Sequence, residues 1–298
     1  MDEDKNKQEI SLHYSGTFEK DNTLTARTAG HGLTNLQRII DKAVMFSKRG
    51  FLKKSDALPA VWYEEADLRV QNFKKGCVTI PLKGPSNLEA ISLLKGVLHD
   101  PYQKAISEAP IEKQKIVETF ENALNRAAYR IEIRTHTELL ENVVEASKKY
   151  FAESVYRDFD NLISPLRSSK SKSTDQISVD LSDKSGTKEY EFDKVTSKRF
   201  HEIVSQKQIG QVVSFNGRLT GLEETNSKDF PYKGIFLSYA SKNEHKLLIR
   251  DEKSLNELRP FVAAKNLPLS ILASPIIAWG AFDIEKGDLV YLKMEEAK

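Results

Sequence analysis

From residue 211 to residue 294 the chain repeats one pattern: short alternating runs of apolar and polar residues separated by turn-forming residues. Alternation over four to eight residues marks half-buried strands. The runs fall at 211–222, 232–240, 245–250, 267–279 and 289–294. Between the third and fourth lies a helical stretch in which Ser254 and Glu257 offer a capping box and Pro260 limits regularity. The last two strands meet at Lys286-Gly287-Asp288. The order strand, strand, strand, helix, strand, strand is that of a small five-stranded barrel, OB-like or SH3-like.

Side-chain parity then gives that barrel an inside and an outside. With Val213, Phe215 and Leu219 inward, Ser214, Asn216 and Arg218 face out. With Ile235, Leu237 and Tyr239 inward, Phe236 faces out, and with Leu247 and Ile249 inward, Lys246 and Arg250 face out. An aromatic beside three cations is suited to base stacking and phosphate pairing, so Arg218, Phe236, Lys246 and Arg250 are expected to form a nucleic-acid face. The competing expectation is that Phe236 and Leu248 cover this face against another domain. It draws support from charge, since residues from Gln206 onward hold 13 basic and 12 acidic side chains.

The first third of the chain reads as a small sheet-and-helix unit. Ile10, Leu12 and Tyr14 alternate with polar neighbours, and Leu33, Leu36, Ile40 and Val44 recur at helical steps over about 32–47. Two β-rich runs, 66–73 and 77–82, flank Lys74-Lys75-Gly76 and predict a hairpin. The middle is helical: apolar stripes run over 87–105 and from 111 to 131, and Thr135 with Glu138 predicts a capping box opening a further helix to Tyr150. The run 130–134, RIEIR, alternates like a strand, but continuous or briefly interrupted helix is preferred.

Residues 164–174, SPLRSSKSKST, hold five serines, three basic residues and one large apolar side chain. Such a run buries too little to offset its ordering entropy, so it is expected to be a mobile loop or linker. A second hairpin, 177–181 with 188–193, and a short helix over 196–204 follow. The expected fold is therefore α+β in three parts: an N-terminal domain with helical extension over 1–163, a linker, hairpin and short helix over 164–205, and the barrel over 206–298.

The chemistry in these parts is sparse. The one cysteine, Cys77, forms no internal disulfide. The polar start MDEDKNKQEI shows no apolar signal core, and the apolar stretch 267–282 is short and broken by two prolines. A reducing, cytoplasmic setting without membrane contact is expected. No two of the six histidines, His13, His31, His99, His136, His201 and His245, fall within one helical turn. No G-x-S-x-G elbow is present. No metal and no cofactor are expected. Ala29-Gly30-His31-Gly32 precedes a helix whose amides could bind an anion, but a Walker lysine is missing. Two acidic groups, Glu64-Glu65-Asp67 and Glu189-Glu191-Asp193, offer the alternative of a divalent-metal nuclease or other phosphodiester enzyme.

The basic residues are more suggestive. Lys48, Arg49, Lys53 and Lys54 follow the first helix, and Lys74 and Lys75 form the first hairpin tip. If these loops meet, six cations cluster without an intervening carboxylate and bind phosphates irrespective of sequence.

EISLHYSGTF, LTNLQRIIDKA and KKGCVTIPL resemble the N-terminal domain of an uncharacterised bacterial and phage protein family. VSFNGRLTGLEE, GIFLSYAS, HKLLIRDE and IIAWGAFD are similar to the small C-terminal barrel that the family joins to it through a helical middle. The resemblance implies no reaction and carries over no catalytic residue. It implies a non-catalytic binding or assembly component of a bacterial multi-protein system, with defence against phage as context. The expected partner is a protein subunit or nucleic acid; a homo-oligomeric scaffold is the remaining alternative.

Overall fold

The computed structural model describes residues 9–295 apart from 22, 55, 72–77, 88, 108, 112–115, 130–132, 142 and 265–266. Lys74, Lys75 and Cys77 lie outside the described residues. The chain begins with β1 (Glu9–Ser15), the short pair β2 (Glu19–Lys20) and β3 (Thr23–Leu24), and helix α1 (Ala26–Arg49). There follow α2 (Tyr63–Ala66), β4 (Arg69–Val70), β5 (Val78–Lys83), α3 (Ala90–Ile106) and α4 (Ile116–Tyr129). Next come β6 (Arg134–Thr135), α5 (His136–Leu140), α6 (Val143–Ile163), β7 (Gln176–Asp183), β8 (Gly186–Phe192) and α7 (Lys194–Val204). The last stretch holds β9 (Lys207–Ile209), β10 (Val213–Glu224), β11 (Tyr232–Ser238), β12 (Glu244–Ile249), α8 (Glu252–Ala263), β13 (Leu269–Ala278) and β14 (Leu289–Met294). The fold is α+β with a closed five-stranded barrel near the C-terminus.

These elements gather into two compact units. The first takes residues 1–52, 56–112 and 151–205. Its sheet has the order β4-β5-β1-β7-β8, antiparallel throughout. One face carries Ile10, Leu12, Ile80, Leu82, Val179 and Phe192, all buried, and the helices supply Leu36, Leu94, Phe159 and Phe200 to the same core. Phe159, Phe192 and Phe200 meet at centroid distances of 5.4–5.7 Å. Each fully buried phenylalanine contributes about 1.5–3 kcal/mol of apolar transfer.

This architecture redraws the expected divisions. The hairpin β7–β8 is not a separate insert: β7 pairs with β1 along its length, Ile10 opposite Leu181 and Tyr14 opposite Ile177. The serine-rich run before it is held rather than free. Leu166 is fully buried, Arg167 pairs with Asp160 at 2.9 Å, and the buried Asp175 carboxylate accepts from the Thr17 and Lys172 amides at 2.6 and 2.8 Å. Composition underrated these few polar contacts, which offset the ordering cost. Helix α1 also starts six residues before the expected position, with Thr25 as its N-cap. Gly30, His31 and Gly32 therefore lie inside the helix, and their amides are not an anion-binding terminus. At Gly32 a Cβ would sit 1.9 Å from the Tyr14 hydroxyl, so only glycine lets α1 cross β1 so closely.

The second unit takes residues 53–55, 113–150 and 206–298. Its barrel closes in the order β10-β11-β12-β14-β13-β10, with β12 and β14 parallel and α8 inserted between β12 and β13. A helix between the third and fourth strands favours the OB-like over the SH3-like arrangement. β13 and β14 are buried on both sides: Ile271 and Leu289 face the barrel interior, while Leu272 and Val290 face a second cluster with Phe120, Ala123 and Ala127 of α4. Burial on both faces explains why these strands read as continuous apolar runs. The Thr135–Glu138 capping box forms as the sequence predicts. RIEIR, by contrast, yields strand at its end, where Arg134 and Thr135 pair in parallel with Val213 and Ser214.

One parity expectation is reversed. Phe236 is fully buried, packed against Phe215 at 6.4 Å, whereas Ile235 and Tyr239 are exposed. A bulge between Leu219 and Gly221 interrupts the pairing, with Leu219 facing Phe236 and Gly221 facing Ile235. Gly217 completes the change, since a Cβ there would lie 2.7 Å from the Phe236 ring. The regular register ahead of the bulge pairs Phe236 with the inward-facing Leu219, so the aromatic fills the barrel.

Candidate functional site

Among the described residues, each of the four cations that follow the first helix faces a carboxylate. Lys48 pairs with Glu65 at 2.6 Å and Arg49 with Asp56 at 3.5 Å, and both cations lie about 5 Å from the Trp62 ring. Lys53 and Lys54 belong to the second unit, where they pair with Glu285 at 2.9 Å and Asp288 at 3.5 Å. The barrel face fares similarly. Phe236 is inside, and the Arg250 guanidinium sits 4.6 Å from the Phe120 ring and 2.7 Å from the Glu121 carboxylate. Leu248 packs against the α4 cluster, so a helix covers part of the surface expected to stack bases. Lys246 stays exposed and Arg218 is half-buried.

The acidic groups are similarly spoken for. Asp193 caps α7 through the Thr196 amide, Glu191 accepts from Gln176, and Glu65 holds Lys48. Among the described residues no group of three or more His, Cys, Asp or Glu side chains is placed to hold a metal.

Folding does create two hydroxyl–imidazole pairs that sequence spacing gave no sign of. In the first unit Thr79 on β5, His13 on β1 and Asp180 on β7 form a chain across three strands. Thr79 Oγ1 lies 2.7 Å from His13 Nδ1, and His13 Nε2 lies 3.1 Å from Asp180 Oδ2. The carboxylate only accepts, so Nε2 carries the proton and Nδ1 accepts from threonine. The order of burial is opposite to that of a hydrolase triad. Thr79 is 6% exposed, while the Asp180 side chain is 23% and that of His13 36% exposed. A nucleophile must reach substrate while its acid stays buried, so this chain is built to bind strands together.

The second pair lies inside the barrel unit. His136 opens α5 and is buried; its Nδ1 accepts from Ser238 Oγ at 2.8 Å and its Nε2 donates to the Ile284 carbonyl at 2.8 Å. His245, fully buried on β12, donates from Nδ1 to the Gly287 carbonyl at 2.9 Å and accepts at Nε2 from Ser241 at 3.3 Å. The two rings meet edge to face at 5.2 Å. Burial pushes the His245 pKa down to about 4, with neighbouring His136 adding to the effect, and burial lowers that of His136 too. Both imidazoles are neutral near pH 7, each fixed in one tautomer by a backbone carbonyl.

Those two carbonyls belong to the β13–β14 connection. Lys53 and Lys54 hold the same segment through Glu285, Asp288 and the Asp283 carboxylate, which accepts from the Lys54 amide at 3.2 Å. The connection starts with a tight turn in which Trp279 and Gly280 both have positive φ, 57° and 89°, between Ala278 and Ala281. A tryptophan in left-handed conformation is strained by about 1–2 kcal/mol.

The segment so fixed forms one wall of a half-open groove of about 430 Å³. Phe282 and Ile284 line that wall; Leu139 of α5, Val212 ahead of β10, and Pro275 and Ile277 of β13 supply the rest of the apolar lining. Arg134 of β6, Lys149 of α6 and Gln211 are its polar members. Among the described residues no acidic side chain lines it, and neither Arg134 nor Lys149 has an ion-pair partner. The size falls within the range of specific binding pockets. Sequence reasoning missed this site because its lining comes from three distant stretches, 134–149, 210–213 and 275–284; the single hint was the strand-like alternation that ends at Arg134.

No protein-family model, curated protein or solved structure matches the chain.

Proposed function

We propose that this protein is a non-catalytic binding component that engages a partner protein through the groove of its second unit. The observation that carries the reading is the groove itself: an apolar concavity with two cations that have no ion-pair partner among the described residues, and with one wall fixed by hydrogen bonds and ion pairs. Preorganised walls lower the entropic cost of docking. The basic residues that would have favoured nucleic acid are mostly paired with carboxylates, and the aromatic that would have stacked bases fills the barrel. Among the described residues no helix is long and apolar enough to cross a membrane. We place this activity in the cytoplasm, in a bacterial multi-protein system, with defence against phage as the setting implied by the family resemblance.

Site-specific photocrosslinking in the native host tests the reading. A photoreactive residue at Ile277, in the groove, is expected to capture a defined protein, whereas one at exposed Val195 captures none. The adduct should vanish when Ala281→Arg fills the groove. Crosslinks to nucleic acid from position 246, with none to protein from position 277, would overturn it.

A further inference from the structure

We infer that the groove takes an extended peptide segment carrying both a large apolar side chain and a carboxylate, the latter held between Arg134 and Lys149. The inference rests on the docking reading above and adds the chemistry of the occupant.

Charge supplies the first argument. Arg134 and Lys149 are exposed cations at the edge of an apolar surface, without an ion-pair partner among the described residues, in a unit where Lys53, Lys54, Lys233 and Arg250 all face carboxylates. What sets these two apart from other exposed cations of the unit, such as Lys246, is that both line the groove, where an arriving anion can meet them together. Arginine also presents a planar fork suited to a carboxylate, and a charge-assisted pair beside apolar walls is stronger than one in open water.

Shape and hydrogen bonding supply the second. The groove is half open, which suits a chain laid across it better than a small molecule needing enclosure. Gln211 lines it with an amide that both donates and accepts, matching the paired N–H and C=O groups of a peptide backbone. A fatty acyl chain offers nothing to that amide. Ile277, Phe282 and Ile284 provide the surface for one or two large apolar side chains.

The test uses fluorescence anisotropy with the full chain and three labelled hexapeptides of leucine, phenylalanine and glycine. One carries a central glutamate, one glutamine and one lysine, with blocked termini; decanoate is the small-molecule competitor. The glutamate peptide is expected to bind at least tenfold more tightly than the glutamine peptide, and the lysine peptide more weakly still. Arg134→Ala with Lys149→Ala should erase that difference, while Ile277→Asp should abolish binding of all three. Raising salt from 50 to 500 mM should narrow the gap between the glutamate and glutamine peptides. Equal affinities for these two, both lost with Ile277→Asp, would overturn the carboxylate assignment and leave the docking reading standing. Saturation by decanoate at concentrations where no peptide binds would overturn the peptide assignment. Absence of binding by every probe would overturn both.

Discussion

His13 in the sheet of the first unit and His136 in the barrel unit are in the same tautomer, each accepting at Nδ1 from a hydroxyl contributed by a neighbouring strand. They differ at Nε2. His13 faces the carboxylate of Asp180 on a partly open sheet face. His136 faces a backbone carbonyl in a sealed interior, with a second buried imidazole 5.2 Å away, where a proton would be an isolated charge. The same side-chain pair is thus a half-exposed clasp between strands in one unit and a charge-excluding core element in the other. Burial and the second acceptor, not the residue type, decide which.

The largest test of that contrast concerns how tightly the barrel is sealed. Phe236→Ala should cost the second unit about 3–5 kcal/mol, as expected for a large buried aromatic. The chain has two tryptophans, Trp62 in the first unit and Trp279 in the second, so a Trp62→Phe background lets Trp279 report the barrel's denaturant midpoint. A change under about 0.5 kcal/mol would mean the ring lies outside, as simple alternation suggested.

Acidification is expected to act next most strongly, and to separate the units by pH. Unfolded histidine takes up a proton below about pH 6.5, whereas folded His245 does so only near pH 4. Its stabilising contribution is therefore complete above pH 6.5 and falls as pH drops, reaching a loss of about 3 kcal/mol by pH 4. His136 adds to the loss in the same direction. In the first unit burial alone would raise the Asp175 carboxyl, but the amides of Thr17 and Lys172 hold it below the ordinary carboxylate range. Its contribution is present above pH about 4 and disappears only in stronger acid. Urea midpoints from pH 7 to 4, read from each tryptophan alone, should fall for Trp279 well before Trp62; coincident profiles would erase the distinction. His245→Gln should flatten the Trp279 profile.

Replacing His13 should matter less. His13→Ala removes two half-exposed hydrogen bonds and is expected to cost about 1–2 kcal/mol in the Trp62-reported transition. A loss comparable to that of Phe236→Ala would show the sheet face to be as sealed as the barrel. Smallest of all, Lys48→Ala breaks a pair whose side chains are 26% and 37% exposed, and should shift stability by no more than about 1 kcal/mol. Trp62 emission should change in that variant because the cation beside its ring is gone.

The strand runs, the helix stripes and the Thr135 cap were legible because each is set by neighbours within a few residues. The order of elements after residue 211 was enough to give the barrel. The placement of β7 was not legible, because nothing local to 176–183 says that its partner is the strand at 9–15. Nor was the inversion of Phe236: the alternation of 232–239 offers two parities of similar hydrophobicity, and the pairing with Leu219 that chooses between them involves another strand. The basic cluster failed for the same reason, since the carboxylates facing Lys53 and Lys54 are more than 200 residues away.

Sequence by itself therefore determined the α+β class, the helical middle and the five-stranded barrel, all of which follow from the spacing of apolar residues along the chain. Tertiary structure alone decided which cations meet carboxylates, which imidazoles lose access to protons, and that residues from three distant stretches line one groove. The physical reason is range. Periodicity is fixed by backbone geometry over one or two turns, whereas charge pairing, desolvation and concavity depend on groups brought together only when the chain closes on itself.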